Sequence, residues 1–223
     1  MIKMPHLYAL KNAKKASQAY AALYAASHYK KNFIGVYYHP GTGRLLPVFN
    51  MPAPSPRHSW AFQEIQGAVL EESFRMLCPA CGLCCARNSA AFAFPHELPP
   101  YYRDKLPRKS IPTKRYGELE ILLLDTDTAG RCVFLDTETA KCALQEKGYM
   151  KPVNCMLHYC TMFAEKKGKI YVKIGLKREN KPIYREITEK EYLAIADKLR
   201  KKALKFASHE PSRNSLKNLH TPK

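Results

Sequence analysis

The stretch CPACGLCC, Cys78–Cys85, puts four cysteines into eight positions, and four more follow at Cys132, Cys142, Cys155 and Cys160. Cysteines with two residues between them suit metal binding, because a tight turn aims two sulfurs at one ion about 2.3 Å away. Two such pairs overlap here, Cys78/Cys81 and Cys81/Cys84. Three thiolates at this spacing also begin the run that wraps a [4Fe–4S] cluster in bacterial ferredoxins, with the fourth ligand supplied from elsewhere. Gly82 sits inside the loop, where a close approach of backbone to sulfur favours a residue without Cβ. Cys84 and Cys85 are adjacent, and neighbouring side chains rarely converge on one tetrahedral ion. Cys85 therefore serves a second metal or is a small buried hydrophobe. Eight thiols suffice for two four-thiolate zinc sites, or for one iron–sulfur cluster with thiols to spare. His158 lies three residues after Cys155 and two before Cys160, so it is a possible metal ligand, although a lone histidine is more often structural.

The alternative use of so many cysteines is a disulfide framework, which needs an oxidising compartment. The start, MIKMPHLYALKNAKKASQ, has no apolar signal core and no cleavage site. A reducing cytoplasm is expected, where metal or redox chemistry is favoured over disulfides. The same acid-free start shares its basicity with organellar transit peptides, but it carries Lys rather than Arg and little Ser, so an organelle is the alternative. No stretch approaches the roughly 20 apolar residues that span a bilayer, so no membrane is expected.

The formal net charge is +18, and it is unevenly placed. Residues 1–32 hold six lysines and no acid; residues 166–223 hold 17 basic residues against six acids; residues 33–165 are nearly neutral. A neutral, cysteine-bearing centre between basic ends suits contact with a polyanion such as RNA, DNA or a ribonucleoprotein. The candidate contacts are Lys11, Lys14 and Lys15 near the start and Lys198, Arg200, Lys201, Lys202 and Lys205 near the end. Tyr8, Tyr20, Tyr24, Tyr29, Tyr37 and Tyr38 lie among basic residues, where they either stack on bases or pack a core. The bland alternative for the charge is a lysine-rich solvated surface.

Residues 7–31 read as a helix, rich in Ala, Leu and Lys with no Gly or Pro. FIGVYYH and RLLPVF flank PGTG and predict a hairpin. Asn50–Ser59 holds three prolines and reads as a linker. Trp60–Leu77 places Trp60, Ile65, Val69 and Phe74 near helical spacing, a second helix. Phe94–Lys114 is Pro-rich and reads as irregular. Glu118–Asp125 is a strand, TDTAG turns it, and Arg131–Asp136 pairs back before a second turn at TETA. Residues 152–164 open with Pro and read as a helix. KIYVKIGLKR and KPIYREI form a hairpin about EN. Thr188, with Glu191 three residues on, forms a capping box that starts a last helix at 189–207. The fold class expected is α+β: a small metal-stapled cysteine-rich core with short strands and hairpins, flanked by basic helices. The segments are 1–58, a basic helix plus hairpin; 59–165, the cysteine cluster; 166–207, a hairpin plus basic helix; and 208–223, a basic tail.

The order CPACGLCC, then GRCVFLD, then a cysteine, then KPVNC resembles the CxxCxxCC cysteine-cluster (YkgJ-type) family, which is described as zinc- or iron-chelating. Its pattern is C-x2-C-x2-C-C, a later Gly-x-Cys-x-Phe-Leu, a further Cys and an Arg-Pro-x-x-Cys ending. The resemblance covers residues 77–160 and implies Cys78, Cys81, Cys84, Cys85, Cys132, Cys142 and Cys155 as metal ligands, with Cys160 where some members carry another Cys. Lys151 stands where the family usually has Arg, Met156 stands where Arg often follows the cysteine, and the gap from Cys142 to Cys155 is longer than usual.

A similar cysteine-rich region occurs in flagellin lysine N-methylases, which raises an enzyme alternative. The chain has no glycine-rich strand–turn–helix motif to hold S-adenosylmethionine, and Gly41–Gly43 sits in the hairpin turn. The C-x2-C-x2-C-C run also differs from the C-x3-C-x2-C of radical S-adenosylmethionine enzymes. No spacing of carboxylates or Ser/His/Asp points to catalysis. The function expected is an iron–sulfur or zinc protein whose basic ends contact RNA, a ribonucleoprotein or a protein partner. The alternatives are a redox or cluster-handling protein and a lysine methylase-like enzyme.

Overall fold

The hairpin around PGTG lies in the middle of a large sheet. The structure, a computed structural model, describes residues 6–86, 91–124, 131–158, 160–177 and 180–208. The strands are β1 (His6–Leu10), β2 (Phe33–His39), β3 (Arg44–Met51), β4 (Phe62–Glu64), β5 (Phe74–Leu77), β6 (Phe92–Ala93), β7 (Arg108–Thr113), β8 (Gly117–Leu123), β9 (Phe163–Lys166), β10 (Lys169–Leu176) and β11 (Pro182–Ile187). The helices are α1 (Ala16–Ser27), α2 (Gly67–Glu72), α3 (Pro100–Arg103), α4 (Ala143–Glu146), α5 (Val153–Leu157) and α6 (Glu189–Ser208). The fold class is α+β, with antiparallel sheets and separate helices.

The chain forms two compact units, each assembled from distant segments. The first takes residues 1–78, 112–117 and 156–192; the second takes 79–111, 118–155 and 193–223. The expected division into consecutive segments differs because strand pairing joins the start of the chain to residues 163–187.

In the first unit, eight strands run in the order β11-β10-β9-β5-β2-β3-β1-β4. Every neighbouring pair is antiparallel. The 7–31 helix expectation fails at its beginning. Residues 6–10 are β1, laddered to β3 on one side and β4 on the other, and the helix starts only at Ala16. Helix propensities differ by less than about 1 kcal/mol per residue, so two ladders override them. The Trp60–Leu77 helix is likewise corrected: β4, the six-residue α2 and β5 take its place. Phe163–Lys166 is a strand rather than the end of a helix, because β9 pairs with both β5 and β10.

Both hairpins and the last capping box match the expectation. Thr188 N–H donates to Glu191 Oε2 at 2.8 Å, and Glu191 N–H donates to Thr188 Oγ1 at 3.2 Å. The sheet core includes Val36, Val48, Phe49, Met51, Met76 and Phe163, each at most 1% exposed. The cysteine-bearing stretch leaves the sheet after β5 and returns at β9, where Leu77 pairs with Phe163.

The second unit is built from shorter pieces. β6, β8 and β7 form a three-stranded sheet in that order, so part of the Pro-rich 94–114 stretch is strand rather than irregular. Arg131–Asp136 returns beside β8 through a backbone bond, Val133 N–H to the Leu124 carbonyl at 2.7 Å, rather than as a strand, and an isolated bridge pairs Leu135 with Cys142 across the TETA turn. Its core packs Leu98, Tyr102, Leu106, Leu122, Leu124, Val133, Phe134 and Leu144, with Cys132, Cys142 and Cys155 against it.

Candidate metal centre

Three cysteines reach the second unit's core on three separate pieces of chain. Cys132 precedes the Val133–Phe134–Leu135 run, whose side chains are all buried. Cys142 is the residue before α4, and Cys155 lies within the one-turn α5. A buried carboxylate holds α5 in place. Glu97 Oε1 accepts from Val153 N–H at 2.8 Å, and Oε2 accepts from Phe94 N–H at 2.9 Å. Asn154, also buried, accepts from Phe92 N–H at 3.5 Å, a long bond. The first of these satisfies an orphan amide at the start of α5, and the other two tie α5 to the buried backbone at Phe92–Phe94.

Cys85 joins this group through the backbone. Its carbonyl accepts from Cys132 N–H at 3.2 Å. The loop carrying it is pressed against Ala140: a Cβ on Gly82 would lie 2.4 Å from the Ala140 carbonyl oxygen, and Gly82 has φ +70°. Only glycine combines that conformation with that approach. The adjacent pair divides, with Cys84 exposed and Cys85 partly buried.

The electrostatics report the same grouping. Burial pushes the Cys132 thiol up to about 12, and repulsion from Cys85 and Cys142 adds to it. Opposing this, Phe134 N–H donates to the Cys132 sulfur and Lys151 contributes its positive charge. Cys155 is pushed well up by burial and by Cys132, Cys85 and Cys142, again opposed by Lys151. Without a cation these thiols stay protonated at neutral pH. Four soft sulfurs with an amide directed at one of them and a lysine nearby suit a thiophilic ion. Among the described residues, no three Cys, His, Asp or Glu side chains are close enough together to hold a metal ion as they stand.

The other candidates fall elsewhere. Cys81 is buried in the second unit. Cys78 and Cys160 belong to the first unit, at the ends of the stretch that β5 and β9 bracket. Cys160 lies near Tyr184, whose pKa is raised to about 12 by burial, with further contributions from Tyr38 and Cys160. His158 belongs to the first unit, and desolvation lowers its pKa. No disulfide joins any of the eight cysteines.

The basic candidates Lys11, Lys14, Lys15, Lys198, Lys201, Lys202 and Lys205 are exposed, and Arg200 is partly buried. Lys201 pairs with Asp197 at 2.9 Å. Of the tyrosines, Tyr8 and Tyr38 are buried, while Tyr24 and Tyr29 pack against other rings. Packing accounts for these four. Sequence reasoning missed Lys151 as a charge beside the thiols; its place in the KPVNC motif, four residues before Cys155, was the available signal.

No family model, curated protein or solved structure matches this chain. Among the described residues, no helix is long and apolar enough to cross a membrane.

Proposed function

We propose that the second unit is a cysteine-ligated metal domain, holding an iron–sulfur cluster or zinc on Cys85, Cys132, Cys142 and Cys155, and that the basic ends of the chain contact a polyanion such as RNA or a ribonucleoprotein. The observation that carries the metal reading is the packing of three thiols, Cys132, Cys142 and Cys155, from separate segments against one buried core, with Cys85 tied to Cys132 through the backbone. A bound ion would supply positive charge that keeps all four as thiolates near pH 7. The chain's own part is to hold them. Glu97 fixes the start of α5, Gly82 lets the first loop approach Ala140, and Phe134 N–H orients the Cys132 sulfur.

The role proposed is a fold staple and a platform. The polyanion half rests on the exposed lysines of both ends and the net charge of +18. Anaerobically purified protein is the test. Metal analysis with an absorption spectrum gives either zinc and no colour, or iron with absorption near 400 nm. Cys132→Ser and Cys155→Ser lose the metal, whereas Cys84→Ser retains it. A chain that takes up neither metal, or that loses it on the Cys84 change alone, overturns the assignment.

A further inference from the structure

The first unit contains a cavity of about 490 Å³ whose walls include Lys15, Ser17, Gln18, Trp60, Lys114 and Arg115. Three of these side chains are cationic, and no acidic residue lines the cavity among the described residues. Like charges gathered on one concave surface repel one another and focus a positive potential, which an anion relieves. One wall is the first turn of α1. Lys15 stands at its N-cap with extended backbone and no side-chain cap, and the first turn carries no acid.

The opposite chemistry sits in the same cavity. Trp60 is partly exposed, and the Arg115 guanidinium lies over its ring at 4.6 Å from the centroid. Trp60 Nε1–H donates to the Tyr116 hydroxyl at 3.4 Å, and that hydroxyl donates to the Arg57 carbonyl at 3.2 Å. The indole is thereby held in place from behind. Indole faces and guanidinium planes are the surfaces on which unpaired bases stack.

Cations for a phosphate beside a fixed aromatic plane match one ligand class. We propose that this cavity binds a nucleotide of a single-stranded RNA, with its phosphate between Lys15, Lys114 and Arg115 and its base stacked at Trp60. The inference rests on the polyanion half of the proposed function and gives it a place on the molecule. It is independent of the metal. The residues that matter include Trp60, Lys114 and Arg115, which lie in neither basic end of the sequence.

Trp60 is the chain's single tryptophan, so its emission reports on this cavity alone. Full-length protein is titrated with AMP, with inorganic phosphate and with a single-stranded oligoadenylate, reading Trp60 emission alongside the anisotropy of labelled oligoadenylate. AMP and the oligonucleotide quench saturably, and phosphate binds more weakly than AMP. An oligonucleotide much tighter than AMP identifies a strand as the ligand; equal affinity identifies a free nucleotide at the same site. Lys114→Ala with Arg115→Ala weakens binding by about tenfold or more, equivalent to about 1.4 kcal/mol. Both side chains are exposed, so the fold is retained. Lys105→Ala with Lys109→Ala removes equal charge from exposed positions outside the cavity and outside both basic ends, and leaves the quenching isotherm within about twofold at fixed salt. RNA binding that leaves Trp60 emission unchanged, and that both double variants weaken alike, overturns the cavity while polyanion contact stands. Absence of RNA binding altogether overturns both. Phosphate binding as tightly as AMP overturns the stacked base.

Discussion

The two units are held together by different means. The first is built on a continuous antiparallel sheet of eight strands. The second has a three-stranded sheet, with β6 only two residues long, and most of α6, joined by two four-residue helices and a five-residue helix. Isolated helices that short have no stability of their own. These short pieces gain their stability from the hydrophobic floor on which they pack. On the proposed metal reading, the second unit relies on a cross-link that the fully laddered first unit does not need.

Removing the metal breaks this comparison most directly. Structural zinc contributes about 10–16 kcal/mol in small cysteine-rich peptides, comparable to the whole stability of a domain. A strong chelator, or Cys132→Ser, is expected to abolish amide exchange protection in the second unit while β2 and β3 remain protected. Equal loss in both units would show that the distinction is false. The converse change is Phe163→Ala. Phe163 is fully buried and packs edge-on against Tyr192 at 5.0 Å. It should cost the first unit about 3–5 kcal/mol, read by chemical denaturation, with metal content unchanged.

Glu97→Ala sharpens the contrast from the other side. It leaves two buried N–H groups without their acceptor and costs about 2–4 kcal/mol. Because one of them starts the helix carrying Cys155, metal should also be released at a lower chelator concentration. Thr188→Ala removes half of a capping box, costs about 1 kcal/mol and leaves metal retention alone. The smallest expected effect is a pH dependence in the first unit. His28 and His58 stack at 4.8 Å, and burial, then Arg57 and for His58 also its partner, lower both pKa values. The unfolded chain takes up these protons near the ordinary histidine value, before the folded one does. Stability therefore declines as pH falls below about 6.5. Thermal unfolding at pH 7.5 and 5.5 should show a drop that shrinks in His28→Gln/His58→Gln.

Local signals carried the parts of this fold that are local. The turn PGTG and the Thr188–Glu191 box each contain their own cause within a few residues, whereas Glu179 of the EN turn lies outside the described residues. β1, β4 and β5 had no such signal. HLYAL and FRML lie in stretches with helical propensity or spacing, and their partners are supplied by segments up to about 90 residues away. The cysteines divide in the same way. Their number and spacing pointed to a metal, but which sulfurs share surroundings depended on the second unit's packing. Adjacent Cys84 and Cys85 differ because one faces solvent and the other turns toward Cys132.

The pairing of Leu77 with Phe163 has a kinetic consequence. A chain leaving the ribosome completes β1 to β5 and must then wait for 85 more residues, 78 to 162, before β9 arrives to extend the sheet. During that interval the β5 edge is unpaired and open to a wrong partner. Closing so long a floppy segment is entropically unfavourable, whereas a segment that has already condensed presents its two ends at a set separation. Condensation of the 78–162 segment would then time the completion of the sheet, and any delay in it would appear first as aggregation through β5.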